Sequence, residues 1–198
     1  MTYRRQDSRY RRAKTEGYRA RSAYKLAELD DRYHLLGRGD RVIDLGAWPG
    51  GWLQVAVERI GPAGRIVGVD ITPVAAFPAP NVELLTGDVR DRAVVERIRA
   101  AAGRRADVVL SDLAPKLSGV RATDQARCAE LVDAVLDALP ILLRPDGSLL
   151  IKLFMSDAHA ATVTRLEQAF ARVRVTRPAA TRLGSAELYA VGHEYAGC

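Results

Sequence analysis

Short apolar, β-branched runs alternate along this chain with stretches of helical periodicity, and that alternation limits the fold more than any other feature. Strands are expected at Arg41–Leu45, Arg65–Val69, Val82–Leu85, Ala106–Leu110 and Ser148–Leu153. Helices are expected at Ser22–Leu36, from the glycine loop to Ile60, and at Asp91–Ala102, Asp124–Leu143 and Ala158–Ala171. In the first of these, Leu26, Leu29, Tyr33 and Leu36 share a face, Ser22 is placed to cap it, and Gly37 and Gly39 to end it. Strands separated by helices pair in parallel, because each return needs a crossover. Two late runs, Val173–Thr176 and Glu187–Val191, have no helix between them and are expected to form an antiparallel edge. A chain of 198 residues can bury one sufficient core, so a single catalytic domain over 22–198 with a short extension over 1–21 is expected.

The extension carries the charge. Residues 1–25 hold nine Lys or Arg against Asp7 and Glu16, a net +7, whereas the whole chain is +6, so the remainder is −1. Such an arm suits a polyanion. Tyr3, Tyr10, Tyr18 and Tyr24 lie among the arginines, and aromatic rings that stack on unpaired bases beside guanidiniums that hold phosphates suit single-stranded or loop RNA. No apolar run has the length of a membrane span, and the basic start lacks the apolar stretch of a signal peptide, so a cytoplasmic protein is expected. Cys128 and Cys198 are far apart and have no neighbours at metal-ligand spacing, which argues against a disulfide framework or a metal site.

Ligands of open α/β sheets sit at the carboxyl ends of the strands, and here those ends are acidic. The first expected strand runs through Asp44 into Gly46-Ala-Trp-Pro-Gly50-Gly51, the second leads to Asp70, the third to Gly87-Asp88 and the fourth to Ser111-Asp112. Glycines at 46, 50 and 51 do not give the dinucleotide spacing, and no Lys-Ser/Thr follows, so a nucleoside without phosphates fits better than a phosphate cradle. Asp70 is placed to accept both ribose hydroxyls, Asp88 an exocyclic amine of the base, and Asp112 the ammonium of a methionyl part. Any one of these acids alone would read as a turn or a helix cap. Together they suit a cationic sulfonium cofactor.

Lys152 interrupts the apolar strand Leu149–Phe154, and Lys25 lies within the first long helix; lysine is rarely buried without a function. Methyl transfer to a ribose hydroxyl needs a general base beside a weak nucleophile. A lysine serves as that base only when neutral, a form favoured by burial and by a second cation, which Lys25 could supply.

The chain resembles the FtsJ/RlmE (RrmJ) ribosomal RNA 2′-O-methyltransferases through Gly17–Leu26, Asp44–Trp52, Ser111–Pro115, Ile151–Phe154 and Arg177–Tyr189, so that the likeness runs from about Lys14 to the C-terminus. The resemblance implies a Rossmann-like class I S-adenosylmethionine-dependent methyltransferase with a mostly parallel seven-stranded sheet, an antiparallel edge strand and helices on both faces. It also implies a Lys-Asp-Lys-Glu tetrad, which falls on Lys25, Asp112, Lys152 and Glu187 with Lys152 as base, and cofactor contacts at Gly50, Trp52, Asp70, Asp88 and Asp112. Gly46 and Gly51 of the loop join that cofactor set. The implied substrate is a uridine ribose of large-subunit ribosomal RNA, met on the 50S subunit by a monomeric enzyme. Trp48 stands where the family usually has a small residue, and Thr181 where serine is usual. Two other readings are a 2′-O-methyltransferase of transfer RNA or another RNA, and a non-catalytic RNA-binding assembly factor.

Overall fold

The computed structural model describes residues 8–116, 118–155, 159–181 and 185–197, and side chains from residue 11 onward. The first seven residues of the basic arm, Cys198 and the 182–184 part of the late motif lie outside the described residues. In chain order the elements are α1 (Ser8–Thr15), α2 (Ala23–Tyr33), β1 (Arg41–Leu45), α3 (Gly51–Ile60), β2 (Arg65–Asp70), β3 (Val82–Thr86), α4 (Arg92–Ala102), β4 (Ala106–Ser111), α5 (Arg121–Leu142), β5 (Leu143–Phe154), α6 (His159–Ala169), β6 (Phe170–Thr176) and β7 (Glu187–Tyr195).

All seven strands form one sheet in the order β3-β2-β1-β4-β5-β7-β6. The first five pair in parallel, while β7 runs antiparallel to both β5 and β6. The two late runs therefore close the edge as expected, with the reversed strand one place in from the rim. Alternation of side chains divides the core in two. Ile43, Leu45, Val67 and Val109 pack under α4, α5 and α6, whereas Val42, Ile66, Leu110, Leu150, Tyr189 and Val191 pack under α2 and α3. No described helix is long and apolar enough to cross a membrane.

Element ends differ from expectation where side chains intervene. Helix α2 stops at Tyr33 rather than Leu36, with His34 left-handed at φ 52°. The Asp30 carboxylate accepts from the Leu35 and Leu36 amides at 3.0 and 2.8 Å, so those groups are satisfied without a further helical turn. Ser22 makes no side-chain cap; its carbonyl instead accepts from the Trp52 indole at 2.9 Å. Asp91 does cap α4, accepting from the Ala93 amide at 2.8 Å, a type of contact that contributes about 1 kcal/mol.

The described part of the arm is docked on the domain. Ala13 is buried, Gln54 accepts from the Arg19 amide and donates to the Gly17 carbonyl, and the Tyr18 and Tyr24 rings meet edge-on at 5.5 Å. Tyr24 also donates to Glu16 at 2.6 Å beneath Arg12. Two of the four tyrosines expected to meet bases thus hold the arm to the protein.

Candidate active site

The order of strands reverses between β1 and β4, and a parallel sheet opens a crevice at such a switch point. Here the crevice is held open by main-chain bonds. The Gly46 and Ala47 amides both donate to the Val69 carbonyl, pulling the loop toward β2, while the Asp112 amide donates to the Leu45 carbonyl. Gly46 has φ 88°, and a Cβ there would stand 3.0 Å from the Leu113 nitrogen and 3.2 Å from the Asp112 carbonyl carbon, so the loop crosses the end of β4 at a distance only glycine allows.

The result is a cleft of about 750 Å³ lined by Gly46, Trp48, Asp70, Asp88 and Asp112, together with apolar Val69, Ile71 and Leu113. Asp70 accepts from the Trp48 amide at 3.1 Å and the Thr72 amide at 2.8 Å. Asp88 is gripped by Arg90, whose terminal nitrogen lies 2.6 Å away; that guanidinium holds the carboxylate below its ordinary range. The Trp48 ring, 57% exposed, stands at the cleft and leaves Asp70 in place, so the unusual residue adds to the wall without displacing an acid.

Gly50, Gly51 and Trp52 do not line the cleft. Gly50 takes φ 111° before α3, Gly51 opens that helix against Ala20, and the Trp52 indole is buried 6.0 Å from the Tyr189 ring. The resemblance gave Trp52 to the cofactor, but its side chain belongs to the core beneath α2. Its amide still lies in the first turn of α3, where helix N–H groups have no intrahelical partner and favour an anion.

Alternation gathers the remaining groups on the α2 face. Asp44 and Val42, Asp112 and Leu110, and Lys152 and Leu150 have matching parity, and Lys152 lies opposite Tyr189 in the β5–β7 register. Glu187, two residues from Tyr189, follows on the same face, and α2 brings Lys25 over them. The Lys152 Nζ donates to the Asp112 carbonyl at 2.7 Å and approaches Asp112 Oδ1 at 3.1 Å. The Lys25 Nζ donates to Glu187 at 2.8 Å and to the Tyr189 hydroxyl at 3.2 Å, and that hydroxyl donates to Asp112 Oδ1 at 2.7 Å. Both lysines are only 6% exposed. Burial pushes Glu187 up, but the hydrogen bond and charge of Lys25, aided by Lys152, hold it below the usual carboxylate range.

Asp44 tests what the cleft is built to hold. It is fully buried, and neither carboxylate oxygen has a hydrogen-bond partner. Burial, then the charges of Asp112 and Asp70, push it far above the ordinary range. The carboxylates of Asp70, Asp88 and Asp112 that line the cleft favour a cation and disfavour a phosphate. A nucleoside carrying a sulfonium and an ammonium suits that acidic wall.

Sheet order and acidic cleft together define a class I methyltransferase that uses S-adenosylmethionine. Within that class the chain belongs to the FtsJ-like methyltransferase family, which residues 18–195 match. It is similar to the ribosomal RNA large subunit methyltransferase E of Methanothermobacter thermautotrophicus, with 44% identity over 98% of this chain and 92% of the relative. A solved Plasmodium falciparum protein described as a ribosomal RNA methyltransferase superposes with a TM-score of 0.80 and 27% identity, covering 91% of this chain and all of that one. Aeropyrum pernix fibrillarin, solved with natively bound S-adenosylmethionine, shares the fold at a TM-score of 0.61 and 19% identity over 86% of this chain and 76% of its own.

Tyr189 and Arg90 were missed in the sequence. A period of two from Glu187 would have found the tyrosine, and the arginine stands two residues beyond Asp88.

Proposed function

We propose that this enzyme methylates the 2′-hydroxyl of a uridine ribose in large-subunit ribosomal RNA, on the assembled 50S subunit, working as a monomer in the cytoplasm. The observation that carries the reading is the double contact of Lys152 with Asp112. A neutral lysine has two N–H bonds and one lone pair. When the two N–H bonds are directed at the Asp112 carbonyl and Oδ1, the lone pair occupies the remaining tetrahedral direction and is free to accept a proton.

Bound S-adenosylmethionine supplies an electrophilic methyl carbon on a positively charged sulfur. Asp70, Asp88 and Asp112 hold the cofactor from the cleft, and the amides of Gly51 and Trp52 at the start of α3 suit its carboxylate. Lys152 Nζ takes the proton from the ribose 2′-oxygen as that oxygen attacks, a contribution of about 10²–10⁴-fold for a positioned base. Lys25 lies in the same buried region, held there by Glu187 at 2.8 Å. The exposed basic side chains of Arg11, Arg12 and Lys14 on α1 extend the RNA-holding surface, with residues 1–21 as the arm and 22–198 as the catalytic domain. The names of the relatives support ribosomal RNA as substrate, and the buried lysines support hydroxyl rather than base-nitrogen chemistry.

The reading is tested by supplying the purified enzyme and tritiated S-adenosylmethionine to 50S subunits, naked 23S RNA and transfer RNA from cells lacking the gene, then digesting to nucleosides. Label in 2′-O-methyluridine from the subunit is the expected result. Label only in transfer RNA, or in a base, overturns the substrate.

A further inference from the structure

The four groups assigned above fall into two pairs, Lys25 with Glu187 and Lys152 with Asp112, and Tyr189 touches both pairs. Tyr189 is fully buried, opposite Lys152 in the sheet, with Lys25 lying 5.5 Å over its ring. A phenol has one proton. At 2.7 Å from Asp112 Oδ1 it donates there, because a carboxylate can only accept. The 3.2 Å contact with Lys25 must then run the other way, with the ammonium donating to the phenol oxygen. Hydrogen bonds thus point in one direction, from Lys25 through Tyr189 to Asp112. Lys152 reaches the same Oδ1 at 3.1 Å, so a single carboxylate oxygen is divided between two donors, of which the phenol is closer.

We infer that Tyr189 is a positioning residue of the transfer reaction: its hydroxyl takes up charge on Asp112 Oδ1, weakening that oxygen's hold on Lys152, and carries the influence of Lys25 to that atom. The inference rests on Lys152 being the base. Packing alone does not account for the hydroxyl, since a phenylalanine would fill the same space under α2. Burial first, then the charge of Asp112, push the phenol far above the ordinary tyrosine range, which keeps it a donor throughout the working pH. The other charged or titratable groups around Lys152 come from every neighbouring element: Lys25 from α2, Asp112 after β4, Glu187 from β7 and the Cys128 thiol from α5. Asp44 of β1 lies within reach of the charges of Asp112 and of Asp70 from β2. None of these except Tyr189 donates a second hydrogen bond to Oδ1 among the described residues.

The test is the pH dependence of kcat for methyl transfer to unmethylated 50S subunits by wild type, Tyr189→Phe, Lys25→Met, the double variant and Lys152→Met, with thermal unfolding of each. Loss of the phenol leaves Oδ1 to Lys152 alone, and a carboxylate that is less shared favours the charged form of its partner. Tyr189→Phe is expected to lower kcat near neutrality by about 10-fold, the effect of one hydrogen bond. It should move the acid limb upward by about one pH unit. The KM for S-adenosylmethionine should stay within about twofold, because the interaction acts on the chemical step. In the Tyr189→Phe background Lys25→Met is expected to cost less than it does in the wild type, since part of what Lys25 does reaches Asp112 through Tyr189. Replacing Tyr189 by 3-fluorotyrosine, which keeps the shape but strengthens the donor, should move the acid limb downward and covers the case of a poorly folding phenylalanine variant. An acid limb at the wild-type position in both Tyr189 variants, or independent losses in the double variant, overturns the inference. If Lys152→Met is inactive in that same series, the assignment of the base survives that failure; if Lys152→Met is active, both fall.

Discussion

Lys152 meets Asp112 at two atoms of one residue, its Nζ lying 2.7 Å from the carbonyl oxygen and 3.1 Å from Oδ1. The carboxylate belongs to the wall of the cofactor cleft, whereas the lysine is buried behind it on β5. Asp112, the first residue past β4, therefore joins the cleft to the cluster of Lys25, Glu187 and Tyr189.

Asp44 sets the first prediction. Its acid form is favoured in the folded chain far above the pH at which an unfolded aspartate ionises, first by burial and then by Asp112 and Asp70. Stability from this group is therefore fully present below the unfolded value and is lost as pH rises through the folded value. In the cofactor-free protein, melting temperature is expected to fall as pH rises from the mildly acidic range. Asp44→Asn should flatten that fall while weakening S-adenosylmethionine binding. A steeper fall in the variant would contradict the assignment.

Asp88 behaves in the opposite sense. Because Arg90 holds its carboxylate low, the Asp88 anion persists into acid, and with Asp88 in its proposed role at the base, cofactor affinity should hold below the ordinary carboxylate range. In Arg90→Ala the acid loss of affinity is expected at higher pH. Calorimetric titration of S-adenosylmethionine across pH would detect the shift, and identical profiles would remove Arg90 from the site.

Gly46→Ala combines a left-handed backbone with a contact of 3.0 Å to main-chain nitrogen, whereas Gly17→Ala, at φ 80°, meets nothing within 4 Å. Strain of about 1–3 kcal/mol is expected at each. Only the Gly46 variant should also lose cofactor affinity, because only there must the end of β4 move. Equal affinity for the two variants would mean that the loop does not set the cleft.

Much of this arrangement is visible in the chain. Strand ends are legible because β-branched runs give way to aspartate, and parity along each strand then assigns a face. Helix ends are less so: Gly37 is an obvious stop, yet Asp30 ends α2 sooner by taking two amides with its side chain. Lys25 and Lys152 are conspicuous as cations in apolar surroundings. Glu187 came from the resemblance alone, since an acid opening a late strand is ordinarily solvated. Tyr189 shares the face of Glu187 by a period of two, yet a tyrosine in a strand reads as core, and its hydroxyl becomes informative only when α2 is folded over it.

The arm offers a prediction of a different kind. Arg11 and Lys14 are exposed on α1, and Arg11→Ala with Lys14→Ala should weaken subunit binding without lowering kcat at saturation. If each contacts one phosphate, the salt slope of binding should fall by about 0.7–0.9 per residue. An unchanged slope would place RNA elsewhere on the surface.

Lys152 is the proposed proton acceptor, and the most direct test compares wild type with Lys152→Met for single-turnover methyl transfer to unmethylated 50S subunits, alongside calorimetric binding of S-adenosylmethionine. The predicted result is cofactor affinity within about threefold of wild type with the transfer rate down by about 10²–10⁴-fold, the share of a general base. Transfer at a rate close to wild type by a variant that binds the cofactor normally would contradict it.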